Sequence, residues 1–264
     1  MPAQRWSGPP GIVIAHVPGL VSPARASRTS CVRYVVACSL AGIGLSTAAP
    51  AAAQVGATAS VFTQATFRGY SLSDGHPVAQ LDFGYDDPTG IYGAISASGL
   101  LREGGPKPLG LVLNAGYAKQ LKGGTTLDVG AIHSRYSRYS TSDQSNSYTE
   151  FYAGVGHKWV STRVYLSPHY FEAGVWTLYG EVNGNFSPAR KWTIDGHVGM
   201  LVPLRTPADV QGFGTEYDWR VGLTRELGRV SLHLAWTDGS PDNHSYRGRE
   251  HAGSALIAGA SLVL

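Results

Sequence analysis

Histidine and serine are the residue types in this chain with the strongest potential for catalysis or metal binding. Eight of the nine histidines follow residue 53, but none belongs to a Gly-x-Ser-x-Gly or His-Glu-x-x-His motif. Neighbouring strands can still bring together a Ser–His–acid set, as they do in lipid-hydrolysing barrels. Histidines scattered through loops and a polar interior are the simpler interpretation. We therefore expect no catalytic residues, no metal site and no cofactor.

Polar residues occur at alternate positions of several segments, and this is the second feature with chemical consequences. Between residues 175 and 186 the odd positions are mostly polar, including Tyr179 and Glu181, whereas the even positions are apolar or glycine, including Trp176 and Leu178. A period of two places polar and apolar side chains on opposite faces of a β-strand. Each run lasts about ten residues, which is the length of a tilted membrane strand. These segments indicate strands that separate water from an apolar surrounding.

The alternating segments predict an all-β fold, namely an antiparallel up-and-down transmembrane β-barrel of about 12 strands, with a range of about 10–14. Tight turns follow the even-numbered strands and longer connections follow the odd-numbered ones, except at residues 171–173. Outer-membrane barrels sort their loops by length in this way, whereas a soluble sandwich has no reason to do so. The strands are predicted near residues 57–70, 78–86, 90–99, 109–121, 125–135, 147–159, 162–170, 174–186, 191–203, 216–227, 230–237 and 254–264.

The first 53 residues have a different character from the rest of the chain. Arg28 and Arg33 precede an apolar run that starts at Val35, and three consecutive alanines end at Ala53. A basic start, a short apolar stretch and small residues at the cleavage point are typical of a secretory signal peptide. We therefore expect two regions. Residues 1–53 form a leader that contains the signal peptide at about 28–53, and residues 54–264 form a barrel domain.

Net charge and cysteine usage exclude several classes of protein. Four of the 21 Lys and Arg residues but none of the 18 Asp and Glu residues lie in the predicted leader, so the remaining chain is close to neutral. The formal net charge of +3 therefore comes from the leader and indicates no nucleic-acid partner. Cys31 and Cys38 also lie in the leader, which excludes disulfides and thiol chemistry from the predicted barrel.

A short motif near the start of the predicted barrel has the form Arg-Gly-x-Ser-x-Ser-Asp-Gly-x-Pro. An aromatic strand containing glycine follows it, and then the segment from Gly90 to Ser98. This arrangement resembles the opening of the TorF family of porins, which have a similar mature length. The resemblance implies an outer-membrane channel of a Gram-negative bacterium, without a defined substrate. The motif residues that carry it are Arg68, Gly69, Asp74, Gly75 and Pro77.

The polar faces of the predicted strands would line the lumen if the apolar faces contact lipid. A barrel of twelve strands has a narrow lumen, in which opposite charges lie close together. In one interpretation these charges face each other across water and set the selectivity for ions or solutes. In the other they form salt bridges that plug the barrel. Both interpretations stay open at this point for the lumen-lining candidates, which are Arg68, Asp128, Glu150, Lys158, Arg163, Glu181, Asp195, Arg220 and Glu226.

These observations together predict an outer-membrane channel for the passive diffusion of small hydrophilic solutes or ions, exported through the periplasm. Its partners would be outer-membrane lipid, small solutes and the barrel-assembly machinery, which meets Leu264 here in place of the terminal Phe of many barrels. A homo-oligomer is left open. The alternatives are a non-conducting barrel that scaffolds adhesion or envelope interactions and a lipid-modifying barrel enzyme.

Overall fold

The polypeptide between Gln54 and Val263 forms a closed β-barrel. The computed structural model describes residues 53–137, 147–210, 214–240 and 254–264. The connection after the first strand contains two short strands, β2 (Thr66–Phe67) and β3 (Tyr70–Ser71), which pair with each other. The other twelve strands pair antiparallel in chain order, and the first closes on the last. They are β1 (Gln54–Phe62), β4 (Val78–Asp86), β5 (Ile91–Arg102), β6 (Gly105–Gln120), β7 (Thr125–Tyr136), β8 (Ser147–His157), β9 (Val160–Ser167), β10 (Trp176–Ala189), β11 (Trp192–Arg205), β12 (Glu216–Leu227), β13 (Val230–Gly239) and β14 (Ala255–Val263).

The predicted all-β antiparallel barrel of about twelve strands is confirmed. No helix in the described part of the chain is long and apolar enough to cross a membrane. The predicted leader up to residue 52 lies outside the described residues, as do parts of three predicted loops, at residues 138–146, 211–213 and 241–253.

The outer surface of the barrel is apolar because alternate side chains of every strand point away from the axis. Val182, Val198, Val221 and Leu234 are among the large hydrophobic residues that are about half exposed on this surface. Their strand neighbours on the inner face are mostly buried and polar. The barrel is therefore inverted relative to a soluble protein, which is the arrangement expected when hydrocarbon surrounds a barrel.

The two ends of the barrel differ in their connections. The connections after β4, β6, β8, β10 and β12 are short turns, as predicted. The connection between β9 and β10 runs over residues 168–175, so the predicted three-residue exception is in fact a longer loop. Conversely, the predicted loop at residues 100–108 is a continuation of β5 and β6. A tight hairpin forms there because Gly104 and Gly105 adopt φ angles of 90° and 105°.

The predicted first strand, residues 57–70, is wrong beyond Phe62, where β1 ends. The chain then turns into the barrel instead of continuing along the wall. Arg68 and Gly69 have φ angles of 46° and 83°, and two consecutive residues in the left-handed region reverse an extended chain sharply. The result is a small hairpin inside the barrel rather than the end of a membrane strand.

The apolar outer face predicts that the energetic cost of a charged side chain on it depends on the position along the strand. Val221 and Leu227 lie on the same face of β12 with outer exposures of 53% and 50%, but Val221 lies in the middle of the strand and Leu227 at its end. We expect Val221→Arg to lower the free energy of unfolding in lipid vesicles by about 2–4 kcal/mol, and Leu227→Arg by about 0–1 kcal/mol. Denaturant titration of the folded barrel measures both values. Equal losses would contradict a membrane-spanning β12.

Candidate functional site

A hairpin from the connection between β1 and β4 occupies the barrel interior. We define the inward hairpin as residues 66–71; all six residues are buried. Its base is closed by two hydrogen bonds, from Leu72 N to Ala65 O (2.8 Å) and from Ala65 N to Ser73 Oγ (2.9 Å). These contacts hold the two arms of the connection together, so the tip extends into the lumen.

Arg68, at the tip of the inward hairpin, binds the opposite wall. Its Nη2 atom donates hydrogen bonds to both carboxylate oxygens of Glu150 on β8, at 2.8 and 2.9 Å. Its guanidinium carbon also lies 3.8 Å from the ring centroid of Tyr179 on β10, which is a cation–π contact. Four strands separate β1 from β8 in the barrel order. The hairpin therefore crosses the interior instead of lying against the strands that carry it.

Gly69 brings the backbone of the hairpin tip directly against the wall. A Cβ atom at Gly69 would lie 2.8 Å from Gly239 Cα on β13 and 3.2 Å from Asp218 Cβ on β12. A Cβ atom at Gly239 would similarly lie 2.9 Å from Gly69 Cα. Two glycines thus permit a contact that any side chain would prevent. Together with Arg68, this contact fixes the tip to both sides of the lumen.

An aromatic cluster packs beside the hairpin. The ring centroid of Phe67 lies 6.2 Å from those of both Tyr136 and Tyr148. Tyr148 in turn lies 5.0 Å from Tyr170 and 4.5 Å from Phe171, which come from the connection between β9 and β10. Tilted and edge-on ring pairs at these distances stabilise a packed interior. The hairpin and this cluster therefore fill one part of the lumen with side chains.

A buried ion pair joins β7 to β9. Arg163 places its Nε and Nη2 atoms 2.8 and 2.7 Å from Asp128 Oδ2, and the two side chains are 1% and 0% exposed. Tyr92 donates a hydrogen bond to the other carboxylate oxygen at 2.6 Å and also bonds to the Tyr152 hydroxyl. Tyr152 donates to Asn114 Oδ1 at 3.1 Å. The charges of this pair are thus compensated within the protein, as a buried charge requires.

A second set of charges connects β10, β11 and β12. Arg220 Nη2 lies 2.7 Å from Asp195 Oδ2. Asp218 accepts a hydrogen bond from the Tyr179 hydroxyl at 3.0 Å and lies 2.8 Å from His197 Nε2. Because Tyr179 also supports the Arg68 guanidinium, this set is continuous with the anchor of the inward hairpin.

The structure places most of the predicted lumen residues inside the barrel, although their role in conduction stays a prediction. Arg68 enters from the hairpin and not from a strand. Lys158 and Glu226 are exposed at the end with short turns: Lys158 forms part of the turn after β8, and Glu226 is close to the end of β12. The residues inside are Arg68, Asp128, Glu150, Arg163, Glu181, Asp195 and Arg220.

The contacts of three interior arginines favour the interpretation in which the charges form salt bridges within the barrel. Each of the three arginines inside touches a carboxylate directly, so these charges do not face each other across water. Glu181 instead accepts hydrogen bonds from Tyr165 and Asn183. Among the described residues, no group of three or more His, Cys, Asp or Glu side chains is placed to hold a metal ion.

The five motif residues belong to one connection but have different environments. Arg68 and Gly69 form the hairpin tip, whereas Asp74 and Gly75 form an exposed turn with φ angles of 47° and 72°. Pro77 is exposed and directly precedes β4. The motif therefore encodes two turns, one inside the barrel and one outside.

Sequence reasoning found Tyr179 but missed Tyr92, Tyr152 and Tyr165, which also lie beside the interior charges, and Asp82 on β4. Asp82 belongs to an alternating run, in which Gln80 and Asp82 face inward and Leu81 and Phe83 face outward. The same period of two that identified other inner residues was sufficient to find it. The tyrosine contacts depend on which strands face each other across the lumen, and no local pattern contains that information.

Comparisons with known proteins agree with this architecture. A sequence model of the family described as bacterial protein of unknown function (Gcw_chp) matches residues 46–262. No curated protein matches the sequence. The solved NanC porin has a TM-score of 0.55 at 8% identity, over 80% of this chain and 100% of that chain. The KdgM porin has a TM-score of 0.48 at 10% identity, over 78% of this chain and 98% of that chain. At such low identity, the similarity to NanC shows a shared fold.

The Arg163–Asp128 pair predicts that replacing one partner destabilises the barrel more than replacing both. Arg163→Met leaves a buried carboxylate without its cation, and we expect it to lower the free energy of unfolding by about 3–5 kcal/mol. Arg163→Met combined with Asp128→Asn removes both charges and is expected to recover a large part of that loss. Denaturant titration of the three proteins tests this, and equal losses in the single and double variants would contradict a coupled pair.

The Gly69–Gly239 contact predicts different effects of alanine at two glycines of the same connection. Both Gly69 and Gly75 have positive φ angles, so alanine costs about 1–3 kcal/mol of backbone strain at either position. Only Gly69→Ala also places a Cβ against the wall, because Gly75 has open space around it. We expect Gly69→Ala to be the more destabilising variant in thermal unfolding. The contact is refuted if Gly75→Ala is equally destabilising.

Proposed function

This chain belongs to the Gcw_chp family of bacterial proteins of unknown function, and we propose that it is a narrow outer-membrane channel for the passive diffusion of small hydrophilic solutes or ions. The observation that carries the proposal is a closed barrel with an apolar outer face and charged and hydroxyl side chains inside. Hydrocarbon can surround such an outer face, and the inner face suits water. The resemblance of the motif at Arg68 to TorF porins agrees with the same function.

The inward hairpin supports a narrow channel rather than a wide one. A twelve-stranded wall encloses more space than an eight-stranded one, whose interior is filled by its own side chains. Here the hairpin and the aromatic cluster occupy part of the additional space. Solutes would have to pass between the hairpin and the strands that it does not touch, which restricts passage to small ones.

Two anchors determine how far the hairpin obstructs the lumen. Arg68 holds the tip to Glu150 on one side, and Gly69 packs against Gly239 on the other. The ion pair is well shielded, because the side chains of Arg68 and Glu150 are only 8% and 4% exposed. Loss of the arginine removes both the salt bridge and the stacking on Tyr179, so the tip loses its attachment to β8 and β10.

Planar-bilayer recordings of the purified, folded barrel test the proposal. We expect steady single-channel currents in KCl, and a larger conductance for Arg68→Ala because the hairpin tip is released. Arg102→Ala is the matched control, because Arg102 is exposed at the end of β5, whereas Arg68 is buried. Its conductance should equal that of the unsubstituted protein.

Heat-modifiable migration on a denaturing gel shows in parallel that each variant has formed a barrel. An intact barrel without current would contradict the proposed channel and support the scaffold alternative. Release of fatty acid from lipopolysaccharide or phospholipid by a non-conducting barrel would support the enzyme alternative instead. An unchanged conductance in Arg68→Ala would refute the role of the hairpin as the constriction.

A further inference from the structure

The inner wall of the barrel is chemically divided into two parts. The strands from β7 to β12 carry the buried Arg163 and Arg220 and most of the interior tyrosines described above. The adjoining strands β14, β1, β4 and β5 carry small hydroxyl residues on their inner faces instead. We call this second part the hydroxyl wall; its inner residues include Thr58, Ser60, Gln80, Asp82, Ser96, Ser98 and Ser261.

Small side chains leave room for water next to the hydroxyl wall. Ser96 and Ser98 remain partly accessible on β5, in contrast to the fully enclosed Arg163 and Tyr165 across the barrel. Hydroxyl groups also exchange hydrogen bonds readily with a passing hydrated solute, because each is both a donor and an acceptor. If the barrel conducts, the hydroxyl wall is therefore the side along which its water path runs.

Asp82 is the carboxylate of the hydroxyl wall, and its surroundings differ from those of the other interior acids. It accepts hydrogen bonds from Gln80 Nε2 at 2.6 Å and from Ser96 Oγ at 2.5 Å. Among the described residues, no Arg, Lys or His forms a salt bridge with it. Five interior carboxylates on the other wall contact an arginine, a histidine or a tyrosine hydroxyl, namely Asp128, Glu150, Glu181, Asp195 and Asp218.

A second observation shows that several hydrogen-bond acceptors lie together around Asp82. Gln80 uses its amide nitrogen to bind Asp82, and its buried Oε1 atom has no hydrogen-bond partner among the described residues. A buried oxygen without a donor is costly unless water or a cation satisfies it. Asp82, Gln80 and Ser96 thus present carboxylate, amide and hydroxyl oxygens, which are the atoms that hard cations prefer.

We propose that Asp82 is the residue that makes the channel selective for small cations over anions. Its negative charge has no salt-bridge partner among the described residues, so mobile cations neutralise it and anions are repelled along the same path. Rings or single groups of acidic side chains produce cation preference in pores in this way. The effect is strong in a narrow lumen, because a permeating ion has to pass close to the charge. This inference rests on the proposed channel function and names the class of solute that it passes.

Reversal potentials across a planar bilayer with a KCl gradient test the proposal. We expect the unsubstituted protein to prefer K⁺, and Asp82→Asn to shift the reversal potential towards equal permeability of K⁺ and Cl⁻. Asp82→Glu keeps the charge and should retain most of the preference. Both variants are first checked for barrel formation by heat-modifiable migration.

Asp87→Asn is the matched control, because it removes the same charge from the turn that follows β4. Hydrogen bonds from the side chain and backbone of Thr89 lower the pKa of Asp87, so this residue is also charged at neutral pH. Salt screens a charge at this turn more effectively than one in the lumen, so its removal should leave the selectivity unchanged.

The outcomes separate this inference from the proposed function. An intact barrel without any current refutes the channel itself. Currents whose K⁺ preference survives in Asp82→Asn refute the role of Asp82 and leave the channel in place. An anion-preferring or unselective unsubstituted channel likewise refutes the inference. A loss of preference in Asp82→Asn alone, with Asp87→Asn and Asp82→Glu unaffected, supports it.

Discussion

The requirement that every backbone polar group within a bilayer finds a partner is the constraint on which the rest of this structure depends. Strands satisfy it only when the sheet has no edge, and here β1 pairs with β14 from Thr58 to Phe62 to close the wall. Closure produces an inside and an outside, and a period of two then assigns every side chain to one of them. The apolar outer face, the hydroxyl wall and the buried ion pairs all follow from this assignment.

Charges in the enclosed interior need partners, and the chain supplies them in three ways. Arg163 pairs with a carboxylate on a nearby strand, Arg68 reaches across the lumen on a hairpin, and Glu181 uses a tyrosine hydroxyl. Each solution removes the cost of a buried charge, but only the second also occupies the lumen. Asp82 differs from all three because its hydrogen-bond donors are neutral.

The wall of the barrel was predictable from the sequence because alternation is a local property. Trp176 and Leu178 face outward and Tyr179 and Glu181 face inward, as the period of two required. Alternation failed beyond Phe62, because a chain that turns into the lumen buries both of its faces. The pairing of Arg68 with Glu150 could not be predicted from the sequence either, because it depends on the strand order and on how far the connection extends into the barrel.

The inward hairpin also has a consequence for the order in which the molecule assembles. It belongs to the first connection of the barrel, but its anchors at Glu150, Tyr179 and Gly239 are synthesised much later in the chain. Contacts between such distant segments form slowly, because a long loop must close before they gain any energy. The strands must therefore wrap around the hairpin, and the last of them, β13 and β14, enclose it when β14 joins β1.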